Sequence, residues 1–198
     1  MSDILMSICY WSRRLLIRLL LPVTKLLGHI YLAPKSRAIR RYDIEAIVEE
    51  LINGDVVLSY TSGEISNYLI PGEYKHCGIY AGNNKIIEAT SKGVVLTEID
   101  DFCSNKDKIA ICRPLFCDER KMLKAVTYAR DRRGSPYDYY FEPNEHAFYC
   151  AELIAKAYYY ATDGLTPFET RESLGVHTVL PIDFKLAKSK FETVLERP

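Results

Sequence analysis

Apolar residues recur at Ile44, Ile47, Val48 and Leu51, the spacing of one helical face, behind Asp43 as a capping side chain and ahead of Asn53-Gly54 as a stop. The period then changes. Asp55-Val-Val-Leu-Ser-Tyr60 is a short apolar run that predicts a strand. The runs 75–81 and 85–90 flank Gly82-Asn83-Asn84, residue types that tolerate the positive φ of a tight turn, and together predict a hairpin. Strands are also expected over 94–99 and 109–115. The helical period returns from 118 to 133, where Met122, Ala125, Val126 and Ala129 share a face and Gly134 ends the run. After a Gly-Ser-Pro-Tyr-Asp loop at 134–138, a second helix is marked by Ala151, Ile154, Ala157, Tyr158 and Ala161 and begins at or just after Cys150. The expected class is α+β, with a small, mostly antiparallel sheet.

The N-terminal stretch follows another pattern. Residues 4–34 are rich in Leu and Ile but carry Arg13, Arg14, Arg18 and Lys25, so no uncharged run approaches the roughly 18–20 residues of a spanning helix. The charges lie inside the apolar run, whereas a secretory signal places them ahead of it. On a helix, Ser7, Arg14, Arg18 and Lys25 fall in one stripe, which suits a helix lying on a membrane surface or in a partner's groove, with Pro22 bending or ending it. The alternative is a helix packed on the protein's own core. Residues 1–41 are therefore expected to form a basic and apolar helical segment, with membrane-surface contact through 4–34, and 42–198 the main domain. A cytoplasmic or peripheral-membrane location is expected over secretion.

Composition narrows the partners. Lys plus Arg equals Asp plus Glu at 26 each, so no global field draws the chain to nucleic acid. The six cysteines form no CxxC pair and have no histidines spaced for zinc, so most are expected to be buried thiols.

Cys150 is the exception, because a helix N-terminus favours a thiolate through its free N–H groups and dipole. His76 lies in the strand Lys75-His-Cys-Gly-Ile-Tyr80, whose alternation puts His76, Gly78 and Tyr80 on one face and Cys77 and Ile79 on the other. Glu88 is an acid inside the apolar partner strand, and buried carboxylates are rare unless paired. It shares the His76 face only if the turn holds an odd number of residues, such as 82–84; a two-residue turn points it away. Tyr137 and Asp138 sit in a loop leading toward Cys150 and are candidate substrate-binding residues, as is Tyr149. Glu152, in the first helical turn, suits the positive end of the helix dipole.

Gly54-Asp55, His76-Cys-Gly-Ile-Tyr80, Ile87-Glu88-Ala, Gly134-x-x-Tyr137-Asp138, Tyr149-Cys150-Ala-Glu-Leu153 and Val179-Leu-Pro-Ile-Asp-Phe184 occur in an order that resembles the circularly permuted NlpC-type, papain-like cysteine hydrolases, in particular their YiiX-like branch. The similarity spans about 52–184. It implies a papain-like core in which the Cys150 helix packs on the sheet bearing His76, with Cys150 as nucleophile, His76 as base and Glu88 as third member. It further implies a peptide-like amide substrate, including cell-wall-type peptides, and neither metal nor organic cofactor. Two other readings share the fold. One is a lipid-directed thioesterase, phospholipase or acyltransferase like lecithin–retinol acyltransferase, whose Asn-Cys-Glu-His motif differs from Tyr149-Cys-Ala-Glu. The other is a binding module without turnover.

Overall fold

The structure, a computed structural model, describes residues 38–64, 67, 70–141, 144–165, 171–173 and 176–198. The expected N-terminal helix and its membrane contact lie outside the described residues. Among the described residues no helix is long and apolar enough to cross a membrane.

The first helix, α1 (Arg41–Glu50), leads into β1 (Val56–Tyr60). Asp43 caps α1 from inside its first turn, accepting the Arg40 N–H at 2.9 Å. The hairpin β2 (His76–Tyr80) and β3 (Lys85–Thr90) is followed by β4 (Gly93–Glu98), the short helix α2 (Ile99–Cys103) and β5 (Lys108–Pro114). Ile99, expected to close a strand, instead opens α2 and is buried. Helices α3 (Glu119–Asp131) and α4 (Cys150–Ala161) follow, then the ribbon β6 (Arg171–Ser173) and β7 (Val176–Thr178), helix α5 (Pro181–Leu186) and β8 (Phe191–Arg197). Asp118 caps α3 by accepting the Lys121 N–H at 2.8 Å.

The main sheet runs β4-β3-β2-β1-β5-β8, antiparallel at every pairing. It is an α+β fold. One sheet face, with Val56, Leu58, Cys77, Ile79, Ile87 and Cys112, packs against α3 and α4. The other, with Val57, Tyr80, Ile86, Ile109 and Ile111, is covered by Ile47 and Leu51 from the α1 region and Ile99 and Phe102 from α2. Asp55, fully buried ahead of β1, locks the sheet laterally through Arg113, with contacts of 3.0 and 2.8 Å.

Two glycines permit close approaches that shape the site. A Cβ on Gly78 would meet Ile86 Cγ2 at 2.3 Å, so only glycine lets β3 side chains cross β2 there. Gly93, at φ +95°, faces Ser135 O, which would lie 2.4 Å from a Cβ. The 134–135 loop thereby bonds to β4 through Val94 N–H to Ser135 O and Gly134 N–H to Val94 O, each 2.9 Å.

Candidate active site

The turn between β2 and β3 has positive φ at Gly82, Asn83 and Asn84, and Ala81 N–H donates to Lys85 O at 2.8 Å. Three residues thus lie between the closing pair. Glu88 stands opposite Gly78, on the face of His76. His76 Nε2 meets Glu88 Oε2 at 2.5 Å, and the second carboxylate oxygen accepts the Thr97 hydroxyl at 2.6 Å. The Phe102 ring, 5.8 Å from the imidazole, lies beside it. Burial pushes the Glu88 carboxyl up; the His76 contact, with Thr97 and the Lys106 charge behind it, outweighs burial and holds it below its ordinary range.

Cys150 is the first residue of α4, behind Tyr149 in extended backbone. The first helical bond here is Leu153 N–H to Tyr149 O at 3.1 Å, so the N–H groups of Cys150, Ala151 and Glu152 lie ahead of the ladder. Cys150 is 4% exposed.

Pairing of β2 with β3 ends at Gly78–Glu88, although β3 continues to Thr90 beside β4. Tyr80 donates its N–H to Asp55 O at 2.8 Å, so by alternation the Cys77 N–H points away from β1, toward the side where β3 has separated. Helix α4 packs on the sheet face that bears Cys77, and the groups that act on the proton affinity of Cys150 are the Cys77 thiol and N–H and the His76 ring. The Cys77 thiol contributes most to lowering the Cys150 thiol well below its ordinary value, against the penalty of burial, and His76 adds a hydrogen bond and a charge. For His76, burial lowers the imidazole, but Cys150 and then Glu88 raise it to about 9. Both shifts favour the same charge separation, a thiolate beside an imidazolium.

The loop before Cys150 is fastened at both ends. Tyr137 and Phe148 form a bridge, with Phe148 N–H to Pro136 O at 3.0 Å and Asp138 N–H to Phe148 O at 3.1 Å. Half-buried Tyr137 stacks on Tyr139 at 4.8 Å, and its hydroxyl lies in the field of Cys150; burial first, then that charge, pushes it far up, so it stays a donor. Asp138 is 3% exposed and accepts the Tyr140 N–H at 2.8 Å. The Tyr149 hydroxyl is engaged by Thr178 Oγ1 at 2.7 Å and the Val179 N–H at 3.3 Å. Its ring stacks on Phe141 at 4.8 Å. The structure therefore brings Cys150, His76, Glu88 and Tyr137 to one place, while the polar atoms of Asp138 and Tyr149 secure backbone around it. Sequence reasoning missed Cys77, because alternation sends its side chain to the face opposite His76. Among the described residues no group of three or more His, Cys, Asp or Glu side chains is arranged to hold a metal ion.

A thiol at a helix start against a histidine-bearing antiparallel sheet, with the histidine earlier in the chain, is the arrangement of a permuted papain-like cysteine hydrolase. The chain belongs to the permuted papain-like amidase family YaeF/YiiX, C92, whose family model matches residues 50–196. Among solved structures it is similar to the metalloprotein yiiX of Escherichia coli O157:H7, with a TM-score of 0.52 and 24% identity over 61% of this chain and 71% of that one. No curated protein sequence matches the chain.

Proposed function

We propose that this family member hydrolyses an amide bond in a peptide-like substrate through a Cys150–His76–Glu88 triad and an acyl-enzyme. The observation that carries the reading is a cysteine at the start of a helix packed on an antiparallel sheet whose histidine is held by the Glu88 carboxylate at 2.5 Å. The Cys150 thiolate adds to the scissile carbonyl carbon, and the N–H groups at the α4 start receive the oxyanion. His76, protonated up to about pH 9, gives its proton to the leaving amine as the carbon–nitrogen bond breaks. Neutral His76 then takes a proton from water as that water attacks the thioester, and Cys150 leaves as thiolate. Glu88 keeps the ring oriented and balances its charge throughout. Tyr137, whose hydroxyl lies in the field of Cys150, forms the substrate-contacting wall; Asp138 and Tyr149 hold that wall in place.

The test is the pH dependence of Cys150 alkylation, followed by mapping of the labelled peptide in wild type and His76→Ala, with hydrolysis of a panel of peptide amides in parallel. Cys150 is expected to react well below the roughly 8.5 of an ordinary thiol, and His76→Ala to lose that reactivity together with amide hydrolysis. If Cys150 titrates like an ordinary buried thiol in both proteins, the triad is wrong. A thiolate that cleaves esters or thioesters of long acyl chains but no amide would move the reading to lipid chemistry.

A further inference from the structure

One side chain of the nucleophile helix gathers the residues that lead into it. Lys156 of α4 is half-buried, and its ammonium reaches back toward the helix start. It donates to Asn144 O, meets Glu145 Oε1 and Glu152 Oε1 at 3.1 Å each, and lies 5.2 Å from the centroid of the fully buried Phe148 ring. An ammonium has three N–H groups, and three oxygens stand within reach of them. We propose that Lys156 is a positioning residue: by fixing the 144–148 segment on α4 it sets Tyr137 against Cys150, and with it the fit of the substrate along the wall. This role rests on Cys150 being the nucleophile and on Tyr137 lining the substrate.

The path from Lys156 to the wall runs through main chain and core. Asn144 Oδ1 accepts the N–H groups of His146 and Ala147 at 2.9 and 2.6 Å, so the carbonyl that Lys156 holds belongs to a closed turn. Phe148, next in the chain, is bridged to Tyr137: its N–H donates to Pro136 O and its carbonyl accepts the Asp138 N–H. With the exposed Glu145 alone, Lys156 would make an ordinary surface pair of little consequence. The Asn144 carbonyl and the Phe148 ring change that, because a shift of either moves the Tyr137 bridge. Lys156 therefore acts on the substrate through Tyr137 and leaves the thiolate to His76. A wall touches the ground state and the transition state alike, so loosening it raises KM and spares kcat.

The experiment compares the full wild-type chain with Lys156→Met, which keeps an unbranched stem on Phe148 and deletes every donor, and with Lys156→Arg, which restores donors and charge. Lys156→Gln carries the test if the Met variant does not fold. Three readouts are taken: KM and kcat on the peptide amide that the wild type cleaves best, alkylation of Cys150 by iodoacetamide, a reagent too small to need the wall, and amide hydrogen exchange at Asp138, Phe148, Leu153 and Tyr80. In Lys156→Met, KM is expected to rise on the order of tenfold, with kcat and the alkylation rate within about twofold of wild type. The Asp138 and Phe148 amides should exchange faster, while those of Leu153 in α4 and Tyr80 in β2 should not. Lys156→Arg should return most of both effects. Unchanged KM with unchanged exchange at Asp138 and Phe148 overturns the positioning role and leaves the nucleophile standing. Joint losses in KM, kcat and alkylation, with all four amides faster, overturn it as well, because they mark a general loosening of the fold. If wild-type Cys150 alkylates no faster than Cys117 and no peptide amide is cleaved, the functional reading falls and this role with it.

Discussion

Two glutamates of nearly equal burial stand close to the cysteine, one across His76 and one two residues further along its helix. Glu88 is 8% exposed and Glu152 9%, yet their proton affinities diverge. Glu88 is held below the ordinary carboxylate range and Glu152 is raised to about 7. Burial acts the same way on both, so the partners decide. Both Glu88 oxygens are engaged, by the imidazole and by a hydroxyl donor. Glu152 has Lys156 on one oxygen at 3.1 Å, no partner on the other, and the Asp138 carboxylate nearby working against its charge. The Lys156 cation is itself shared with Glu145, also at 3.1 Å. A buried carboxylate is kept ionised by donors dedicated to it, and a shared cation is not enough.

The largest test of this contrast is to remove each charge while keeping each shape. Glu88→Gln is expected to cost about 10²-fold or more in kcat/KM, the scale of a general acid–base group that has lost its orienting charge. It should also move the alkaline limb of the pH profile, set by His76 at about 9, to lower pH. Glu152→Gln should leave kcat/KM within a few-fold of wild type. Equal losses in the two variants would show that Glu152 shares in the chemistry and would break the comparison.

Stability should reverse the ranking. Glu152 binds its proton more tightly folded than unfolded, so the folded state loses stability as pH rises from about 4.5 through about 7. Glu152→Gln has no such proton to lose. It should melt with the wild type near pH 4.5 and above it at pH 8, by up to about 3 kcal/mol if the whole shift is expressed. Thermal melts across this range check the sign; a Gln variant less stable than wild type at pH 8 would mean that the Lys156 ion pair outweighs burial.

The same contrast separates what the sequence disclosed from what it hid. Strand alternation, a local rule with a period of two, tied the facing of Glu88 to the length of the turn, and the structure supplies the odd length that brings it to the face of His76. The helix starting at Cys150 was legible from the spacing of Ala151, Ile154, Ala157 and Tyr158. β8 was not, because the sheet has a bulge between Ile111 and Cys112 and shifts register there. Phe191 then packs with one core while neighbouring Val194 and Leu195 both touch the other, so the period-two signal is broken. Cys77 was hidden for a different reason. Alternation puts its side chain on the face opposite His76, and that this is the face α4 covers is a tertiary fact that no local pattern records. Glu152 was given a sufficient explanation in the helix dipole, whereas the neighbour that works against its ionisation, Asp138, comes from a loop fourteen residues away in the chain.

The smallest test makes Glu88 more like Glu152 by removing one donor. Thr97→Val keeps the shape of the side chain and deletes the hydroxyl that donates to Glu88 at 2.6 Å. A hydrogen bond to a charged group is worth roughly 1.5–3 kcal/mol, but Thr97 lies on the outer strand β4 and is only half-buried, so water recovers part of it. The Glu88 carboxyl should then hold its proton to higher pH, and the acid limb of the kcat/KM profile should move upward with a loss of tenfold or less at its plateau. Thr97→Ser, which restores the hydroxyl without the methyl, should return the limb to its wild-type position. An unmoved acid limb in Thr97→Val would mean that His76 alone keeps Glu88 ionised, and that the contrast with Glu152 lies entirely in having an imidazolium for a neighbour instead of a shared lysine.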